Sequence, residues 1–240
     1  MTRRVNVQLS ELVKDWPCTV SGSIRVEIAG IEDDARKVKK NYLYVARKGK
    51  KADGSQFIEE ALTNGAVAIA IDEELQADLE KQQVPVIWVP NTLKFMAYGS
   101  AKLLGFPSEA LTIVAVTGTN GKTTVSHFIG QILRHLGHQV MVIGTNGVFV
   151  NGEREKPELE ALTTLQAKQI QKLCKEAIER KIPYIVLEAS SMGLATHRLD
   201  YCAIKTGVFL NLSEEHLDDH FSCEQYKKAK QQLSNLSEQL

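Results

Sequence analysis

The sequence has no excess of charge and few cysteines, and each absence argues against a class of protein. Its 29 basic residues balance 29 acidic ones among 240 residues, so the formal net charge is zero. This balance argues against a protein that binds nucleic acid through bulk attraction to phosphates. The four cysteines, Cys18, Cys174, Cys202 and Cys223, lie far apart and form no CxxC. We therefore expect reduced, mostly structural thiols rather than a disulfide framework or a zinc ribbon.

Long apolar runs, repeats and low-complexity tracts are also absent. No run of 18 apolar residues occurs, and the N-terminal stretch MTRRVNVQLSELVKDW has no apolar segment of the length that a secretory signal needs. Repeats of about 20 to 50 residues are not visible. With 43% hydrophobic and 24% charged residues, the composition is that of a globular protein. We expect a cytoplasmic location and no membrane contact.

The first part of the chain alternates short apolar segments with helical ones. Residues 41–47, 66–71 and 84–89 are apolar and rich in β-branched or aromatic side chains, as buried strands are. Ser55 is expected to cap a helix that Gly65 ends, and Thr92 to cap a second helix over about 92–104. These elements predict a small α/β domain. The stretch FPSEA, residues 106–110, is a plausible junction with the next domain.

After the junction the elements are longer. LTIVAVTG predicts a strand buried on both faces, followed by a helix over about 122–136 and the strand QVMVIG. Asn151-Gly152 between short extended runs predicts a hairpin. One helical stripe comprises Ile170, Leu173, Cys174, Ala177 and Ile178. Strands at 184–188 and 204–210 complete an alternation that predicts a doubly wound, mostly parallel sheet, in which ligands bind beyond the carboxyl ends of the strands.

The stretch VAVTGTNGKTTV, residues 114–125, has the features of a phosphate-binding loop. Glycines allow backbone N–H groups to turn toward an anion, the helix N-terminus adds partial positive charge, and Lys122 adds a full one. The Thr123 hydroxyl could ligate magnesium. The general P-loop pattern has glycine where this chain has Val116, which disfavours a P-loop kinase or GTPase. A turn that merely connects strand and helix would not need this lysine and two threonines.

A magnesium ion beside a triphosphate would need a carboxylate from another strand end. Glu188 closes YIVLE and is placed for this role, although such a residue can also be a solvated loop residue or a helix cap. In SSMGLATHRLD, residues 190–200, paired serines and Arg198 could bind a second, anionic substrate. The alternative is a serine-capped turn with a surface arginine.

The segment 211–230, NLSEEHLDDHFSCEQYKKAK, raises the question of a metal site. His216 and His220 are four apart and Cys223 is near, so zinc has to be considered. The metalloprotease pattern H-E-x-x-H would need glutamate where Leu217 stands, which disfavours hydrolytic zinc. His216 lies instead where a metal ligand for nucleotide chemistry would lie. The lysines 227, 228 and 230 could simply form a solvated helix face.

Three stretches together, TGTNGKTT, LEASSMGLATHR and NLSEEHLDDHFSCEQYKKAK, resemble the Mur ligases, and among them the MurE group. Residues 30–72 resemble the uridine-nucleotide domain of that group. The resemblance implies an N-terminal domain over 1–107 that binds the UDP-linked substrate. It also implies a central ATP-binding domain over 108–240 that is incomplete, with the C-terminal domain absent.

The resemblance implies an ATP-dependent amide ligase that adds the third amino acid to UDP-N-acetylmuramoyl-L-alanyl-D-glutamate in peptidoglycan precursor synthesis, through an acyl phosphate. The implied partners are the UDP-linked dipeptide and an amino acid, diaminopimelate or lysine, and the implied cofactors are ATP, two magnesium ions and a carbamylated lysine at Lys230. A monomer is expected. The alternative is a truncated module that binds nucleotide or precursor without ligating.

The family's functional residues map onto this chain by motif. Those expected to bind ATP are Gly118, Thr119, Asn120, Gly121, Lys122, Thr123 and Thr124. The expected catalytic residues are Lys122, Glu188, His216 and Lys230, and the expected metal ligands are Thr123, Glu188, His216 and carbamylated Lys230. The expected substrate contacts are Asp34, Arg36, Thr163, Thr164, Ser190 and Arg198. The chain departs from the family pattern mostly at substrate positions, namely Ala35, Ser55, Leu165, Thr196, Glu215 and Phe221.

Overall fold

The computed structural model describes residues 6–49, 53–74, 79, 83–155, 159, 162–213 and 223–239. The chain divides into two compact units, Met1–Gly105 and Phe106–Leu240. Both are α/β units built on a largely parallel sheet. Within the described residues, no helix has the length and apolar character needed to cross a membrane.

Within its described residues, the first unit contains seven strands and three α-helices. In chain order they are β1 (Val7–Gln8), α1 (Leu9–Val13), β2 (Thr19–Ser21), β3 (Glu27–Ile28), β4 (Gly30–Glu32), β5 (Tyr42–Ala46), α2 (Ile58–Thr63), β6 (Ala66–Asp72), β7 (Val86–Val89) and α3 (Thr92–Leu103). Short 3₁₀ turns cover Ala35–Lys37 and Gly54–Phe57. The main sheet has the order β2-β7-β6-β5-β4, in which β2 pairs with β7 in antiparallel fashion and the other neighbouring strands are parallel. β1 and β3 form a separate antiparallel pair.

The helix starts in this unit differ from the sequence prediction. Asp53, not Ser55, caps the turn before α2, because its carboxylate accepts a hydrogen bond from the Ser55 N–H. Asn91, not Thr92, caps α3 by accepting from the Lys94 N–H. The Thr92 N–H and hydroxyl both donate to Asp72. In both cases a residue one or two positions before the expected cap has the extended backbone that a capping position requires.

The described part of the second unit contains seven strands and four α-helices. They are β8 (Thr112–Thr117), α4 (Lys122–His135), β9 (Val140–Gly144), β10 (Gly147–Val150), β11 (Glu153–Glu155), α5 (Ala167–Glu179), β12 (Tyr184–Glu188), α6 (Ser191–Ala195), β13 (Ile204–Phe209), α7 (Cys223–Leu236) and β14 (Ser237–Gln239). A 3₁₀ turn, Pro107–Ala110, precedes β8. The stretch expected to join the domains therefore begins the second unit.

The seven-stranded sheet of the second unit has the order β11-β10-β9-β12-β8-β13-β14. The pairs β9-β12, β12-β8, β8-β13 and β13-β14 are parallel. Alternate residues of β8 enter two different apolar clusters: Ile113 lies with residues of α5, whereas Val116 lies with Val125 of α4. Because successive strand residues point to opposite faces, helices cover both faces, and the predicted doubly wound sheet is confirmed.

The predicted hairpin and the predicted helical stripe are also confirmed. β10 and β11 pair in antiparallel fashion around Asn151 and Gly152, whose φ angles are 51° and 87°. Positive φ at both central residues is what a type I′ turn requires. The stripe of α5 packs into the main core of the unit, with Ile178 at its margin.

Candidate functional site

The loop between β8 and α4 lies at the carboxyl edge of the sheet. It follows β8, which is the neighbour of the central strand β12. Gly121 has a φ of 87°, a left-handed conformation that glycine adopts without strain, and α4 begins at the next residue. The Lys122 ammonium donates to the carbonyl oxygens of Gly118 and Thr119 at 2.9 Å each. The lysine therefore lies across the loop, beside the first N–H groups of the helix, where positive potential is concentrated.

Residues after β13 hold this loop in place. The Asn211 side chain accepts from the Asn120 N–H at 3.0 Å and donates to the Asn120 carbonyl at 3.1 Å. The Asn211 carbonyl accepts from the Thr119 N–H at 3.1 Å. These bonds hold both the N–H and the carbonyl of Asn120. The loop conformation therefore depends on the residue that follows β13, far along the chain.

Glu188, at the end of β12, is the buried carboxylate of the site, with 1% exposure. β12 pairs with β8 in a register that places Glu188 opposite Val116. Glu188 Oε2 accepts from the hydroxyls of Thr123 and Thr145 at 3.0 Å each, and Oε1 accepts from the Thr145 N–H at 3.1 Å. The carboxylate is thus surrounded by neutral donors, at the start of the helix that follows the loop.

The end of β9 is shaped around this carboxylate. A Cβ placed on Gly144 would collide with the Glu188 carboxylate. Gly144 pairs with Gly147, and Thr145 and Asn146 form the turn between β9 and β10. The Thr145 hydroxyl also lies 3.1 Å from the Thr163 hydroxyl. Glycine at 144 therefore lets Glu188 approach the turn that carries Thr145.

A second cluster lies beside the first and shares Glu188. The Thr164 hydroxyl donates to the Glu188 carbonyl at 2.8 Å and lies 3.0 Å from the Ser190 hydroxyl. Ser190 caps α6 by accepting from the Gly193 N–H at 3.0 Å. Arg198 Nη1 donates to the Thr164 carbonyl at 2.7 Å. The structure therefore brings together Thr164, Ser190 and Arg198, which lie apart in the sequence.

Lys230 of α7 contacts Tyr226, which in turn contacts the phosphate loop. Its side chain is buried, with 2% exposure, and its ammonium lies 4.7 Å from the centre of the Tyr226 ring. The Tyr226 hydroxyl lies 3.0 Å from the Thr119 hydroxyl. Burial, and next the positive charge of Lys122, lower the pKa of Lys230 to about 8. Lys230 is therefore not part of a solvated helix face, whereas Lys228, with 69% side-chain exposure, is.

In the first unit, the predicted substrate residues Asp34 and Arg36 pair with each other. Arg36 Nε and Nη2 donate to the two carboxylate oxygens of Asp34 at 2.9 Å each. The Asp34 side chain also accepts from the Arg36 N–H and so caps the turn Ala35–Lys37. The Arg36 guanidinium lowers the pKa of Asp34. The pair lies at the surface, with the Arg36 side chain 78% exposed.

Not every expected residue can be placed. His216, Glu215 and Phe221 lie outside the described residues. In the parts of the chain that the structure describes, no group of three or more histidine, cysteine or acidic side chains is arranged to hold a metal ion. Of the positions that depart from the family pattern, Ala35 and Leu165 are buried.

Sequence reasoning missed three residues that the structure brings to the site, Thr145, Asn211 and Tyr226. Thr145 and Asn211 are the first polar residues after two predicted strands, and this position was the available signal, because carboxyl strand ends meet at one edge of a parallel sheet. Tyr226 lies four residues before Lys230, so the two share one helical face. The four-residue spacing could indicate contact between Tyr226 and Lys230, but it could not indicate that Lys230 is buried.

Two family models match the chain. The model described as Mur ligase middle domain matches residues 116–239, and the model described as Mur ligase family, catalytic domain, matches residues 27–101. The first match contains the loop, Glu188 and Lys230. The second contains Asp34 and Arg36.

Several proteins that are similar to this chain are named as ligases of one kind. UDP-N-acetylmuramoyl-L-alanyl-D-glutamate--2,6-diaminopimelate ligase 2 of Clostridium acetobutylicum is 38% identical over 214 residues, 89% of this chain and 44% of that protein. The similarly named ligase of Caldanaerobacter subterraneus is 36% identical over 96% of this chain and 47% of its own length. A solved structure of a ligase of the same name superposes with a TM-score of 0.77 at 30% identity, covering 95% of this chain and 45% of that one. The chain thus spans less than half the length of these relatives.

Proposed function

Because the chain belongs to the Mur ligase family, we propose that it carries nucleotide-binding and precursor-binding parts of an ATP-dependent amide ligase. The reaction is addition of the third amino acid to UDP-N-acetylmuramoyl-L-alanyl-D-glutamate in peptidoglycan precursor synthesis. Two relatives named as ligases of this precursor and 2,6-diaminopimelate support the proposal, and they favour diaminopimelate over lysine. We assign residues 1–107 to the UDP-substrate domain and 108–240 to the ATP-binding domain.

The observation that carries the proposal is the contact between Thr123 and Glu188. A hydroxyl at the start of a helix that follows a glycine-containing loop lies 3.0 Å from a buried carboxylate oxygen. Magnesium prefers oxygen ligands of this kind. A buried carboxylate whose donors are neutral is suited to a cation, since buried charges are normally paired or bind metals. The residues therefore fit a magnesium site, with Thr123 and Glu188 as ligands. Bound magnesium would neutralise charge on the phosphates.

The nucleotide phosphates are proposed to bind residues 118–124. The first N–H groups of α4 have no acceptor inside the helix and therefore favour an anion. Lys122 adds a mobile positive charge, which on our proposal moves from the loop carbonyls to the γ-phosphoryl group. There it would stabilise charge that spreads over the equatorial oxygens during transfer.

The muramoyl peptide is proposed to bind beside Glu188. Thr163, Thr164, Ser190 and Arg198 supply hydroxyls and a guanidinium, which suit hydroxyl, amide and carboxylate groups of a peptide-bearing sugar. The hydrogen bonds among Thr164, Ser190 and Arg198 fix these groups before a ligand arrives. In the first unit, Asp34 and Arg36 are the proposed contacts of the uridine nucleotide.

Lys230 is the proposed carbamylated lysine. Only a neutral amine attacks carbon dioxide, and a buried lysine near a second positive charge is more easily neutral. Burial beside Tyr226 and near Lys122 supports this assignment. The carbamate would turn a cation into an anionic oxygen ligand. With His216 it would serve a second magnesium ion.

In the proposed reaction, ATP activates an unreactive carboxylate before the amine attacks it. A carboxylate does not acylate an amine at neutral pH, so the terminal carboxylate of the dipeptide attacks the γ-phosphorus, giving an acyl phosphate and ADP. The incoming amine then attacks the acyl carbon, and the tetrahedral intermediate collapses with loss of phosphate. Lys122 stabilises the charge of the first step. Thr163 and Thr164 position the carboxylate for that step. A cytoplasmic monomer is the proposed form.

The test has two stages. Calorimetric titration with magnesium ATP, and then with UDP-N-acetylmuramoyl-L-alanyl-D-glutamate, is expected to show binding of both in roughly the micromolar to millimolar range. Absence of magnesium ATP binding would contradict the proposal. Phosphate release in the presence of ATP, precursor and diaminopimelate distinguishes a ligase from a module that binds both ligands without reaction. Lysine in place of diaminopimelate tests the amine.

A further inference from the structure

Thr145 makes more contacts in the site than a turn residue needs. It lies at the tip of the tight turn that joins β9 to β10, and it is exposed. Its N–H donates to one oxygen of the Glu188 carboxylate, its hydroxyl contacts the other oxygen, and the same hydroxyl lies 3.1 Å from the Thr163 hydroxyl. The residue thus touches a proposed metal ligand and a proposed substrate contact at the same time.

The direction of these hydrogen bonds follows from counting protons. A hydroxyl has a single proton, and an ionised carboxylate only accepts. The Thr145 hydroxyl has two acceptors in reach, Glu188 Oε2 at 3.0 Å and the Thr163 hydroxyl oxygen at 3.1 Å. Its single proton can bond fully to only one of them at a time, and the charged acceptor gives the stronger bond. Glu188 and Thr163 therefore compete for the Thr145 proton.

Glu188 in turn contacts the start of the helix that follows the phosphate loop. Glu188 Oε2 also accepts from the Thr123 hydroxyl at 3.0 Å. Thr145 fixes both carboxylate oxygens of Glu188, one through its backbone and one through its side chain. The rotamer of Glu188, and hence the position of its Oε2 relative to Thr123, depends on the hydroxyl of Thr145.

We propose that Thr145 is a positioning residue that couples the muramoyl-peptide subsite to the magnesium-nucleotide site. The inference rests on the proposed function, since it takes Thr163 as a precursor contact and Glu188 with Thr123 as magnesium ligands. A precursor group that donates to the Thr163 hydroxyl oxygen occupies the acceptor that competes for the Thr145 proton. The Thr145 hydroxyl then donates to Glu188 alone, so Thr145 and Glu188 become ordered. Magnesium ATP then binds to a carboxylate that is already oriented.

The proposed coupling is positive, and each ligand raises the affinity for the other by the same factor. Ordering of Glu188 by the first ligand reduces the entropy that the second ligand must remove, so the two ligands bind with positive cooperativity. By linkage, magnesium ATP must raise the affinity for the precursor by the same factor. A residue with a merely structural role would change stability but not this factor.

The experiment measures the factor by calorimetry on the whole chain. Magnesium ATP is titrated into the protein alone and into the protein saturated with UDP-N-acetylmuramoyl-L-alanyl-D-glutamate, for wild type, Thr145→Val, Thr145→Ser and the control Thr19→Val. Thr145→Val keeps the shape and the backbone N–H but removes the hydroxyl, and Thr145→Ser restores it. Thr19 is an exposed strand residue of the first unit. Thermal unfolding of each variant checks the fold.

In wild type, in Thr145→Ser and in Thr19→Val, saturation with precursor is expected to raise the affinity for magnesium ATP by about fivefold or more, a typical allosteric factor. In Thr145→Val the increase is expected to be less than about twofold. An undiminished increase in Thr145→Val, or no increase in wild type that binds both ligands, overturns the coupling and leaves the proposed function intact. Failure of wild type to bind magnesium ATP overturns the proposed function, and the coupling with it.

Discussion

The Thr123 hydroxyl donates a hydrogen bond of 3.0 Å to Glu188 Oε2, across 65 residues of sequence. The contact exists because β12 pairs with β8, which leads into the loop before Thr123. Two parallel strands that lie side by side end at the same edge of the sheet, so a residue closing one lies next to the loop that follows the other. This relationship places a carboxylate beside a helix N-terminus.

Replacement of Lys122 by alanine is expected to weaken binding of magnesium ATP at least about tenfold, because a charged hydrogen bond contributes about 1.5–3 kcal/mol. The fold should remain intact, since the bonds from the lysine to the Gly118 and Thr119 carbonyls lie within its own loop. Titration calorimetry measures the affinity and circular dichroism the fold. Lys172→Ala, at an exposed position of α5, is the matched control. Unchanged affinity of the Lys122 variant would refute its role.

Gly144→Ala is expected to displace the Glu188 side chain, since the added methyl group would occupy the position of its carboxylate. Glu188 is buried and its carboxylate accepts three hydrogen bonds, so the free energy of unfolding should fall by about 1–3 kcal/mol. The affinity for magnesium ATP should fall about tenfold or more, because the metal ligand has moved. Chemical denaturation and calorimetry measure the two effects separately. A large loss of stability with normal nucleotide affinity would argue that the glycine serves packing alone.

Lys230→Ala is expected to remove a carbamate signal from the protein. Carbon-13 NMR after equilibration with labelled bicarbonate should show one such signal in wild type and none in the variant, however high the bicarbonate concentration. Lys228→Ala, on the same helix but at an exposed position, is the control and should keep the signal. A signal that persists in Lys230→Ala assigns the carbamate to another lysine.

Tyr44 is expected to make stability depend on pH in the alkaline range. Burial first, and then the charges of Asp33 and Asp34, raise its pKa to about 12, against about 10 in an unfolded chain. Between about pH 10 and 12 the unfolded chain has lost a proton that the folded chain retains, so the free energy of unfolding falls as pH rises. The contribution is fully present below about pH 10.

The measurement is urea denaturation of wild type and Tyr44→Phe from pH 9 to 12. The stability of wild type relative to the variant should decline across this window. Below it, loss of the 3.0 Å bond from the Tyr44 hydroxyl to the Gly54 carbonyl should cost the variant about 1 kcal/mol. Tyr201→Phe, at a residue with 41% exposure, is the control. A difference that does not change with pH would contradict the assignment.

Much of the second unit could be predicted from local patterns. The apolar run before the loop, the stripe of α5 and the Asn151-Gly152 turn each carry their structural signal within a few residues. The strands β1, β2, β3, β4 and β14 have only two or three residues each, too few for a period to be visible. The sequence predicts the cap of the turn before α2 two residues too late and the cap of α3 one residue too late, because several neighbouring residues can cap and the backbone angle selects between them.

The residues of the candidate site also differ in whether local sequence patterns predict them. The loop residues 118–124 and Glu188 were predictable, because strand ends and glycine-containing turns are local features. Lys230 was recognised only by resemblance, since three lysines close together also fit a solvated face. The structure buries Tyr226, Ala229, Lys230 and Leu233 on one side of α7. Which lysine of a helix is buried depends on what the helix packs against, and that is not a local property.

By itself, the sequence determined the order of strands and helices in the second unit, the phosphate loop and the membership of a family, because these follow from local periodicity and from residues adjacent in the chain. Only the tertiary structure decided that Glu188 lies against Thr123, that Thr145 joins Glu188 to Thr163, and that Lys230 is buried beside Tyr226. Each of these depends on strand order and helix packing, which bring together residues separated by long stretches of chain.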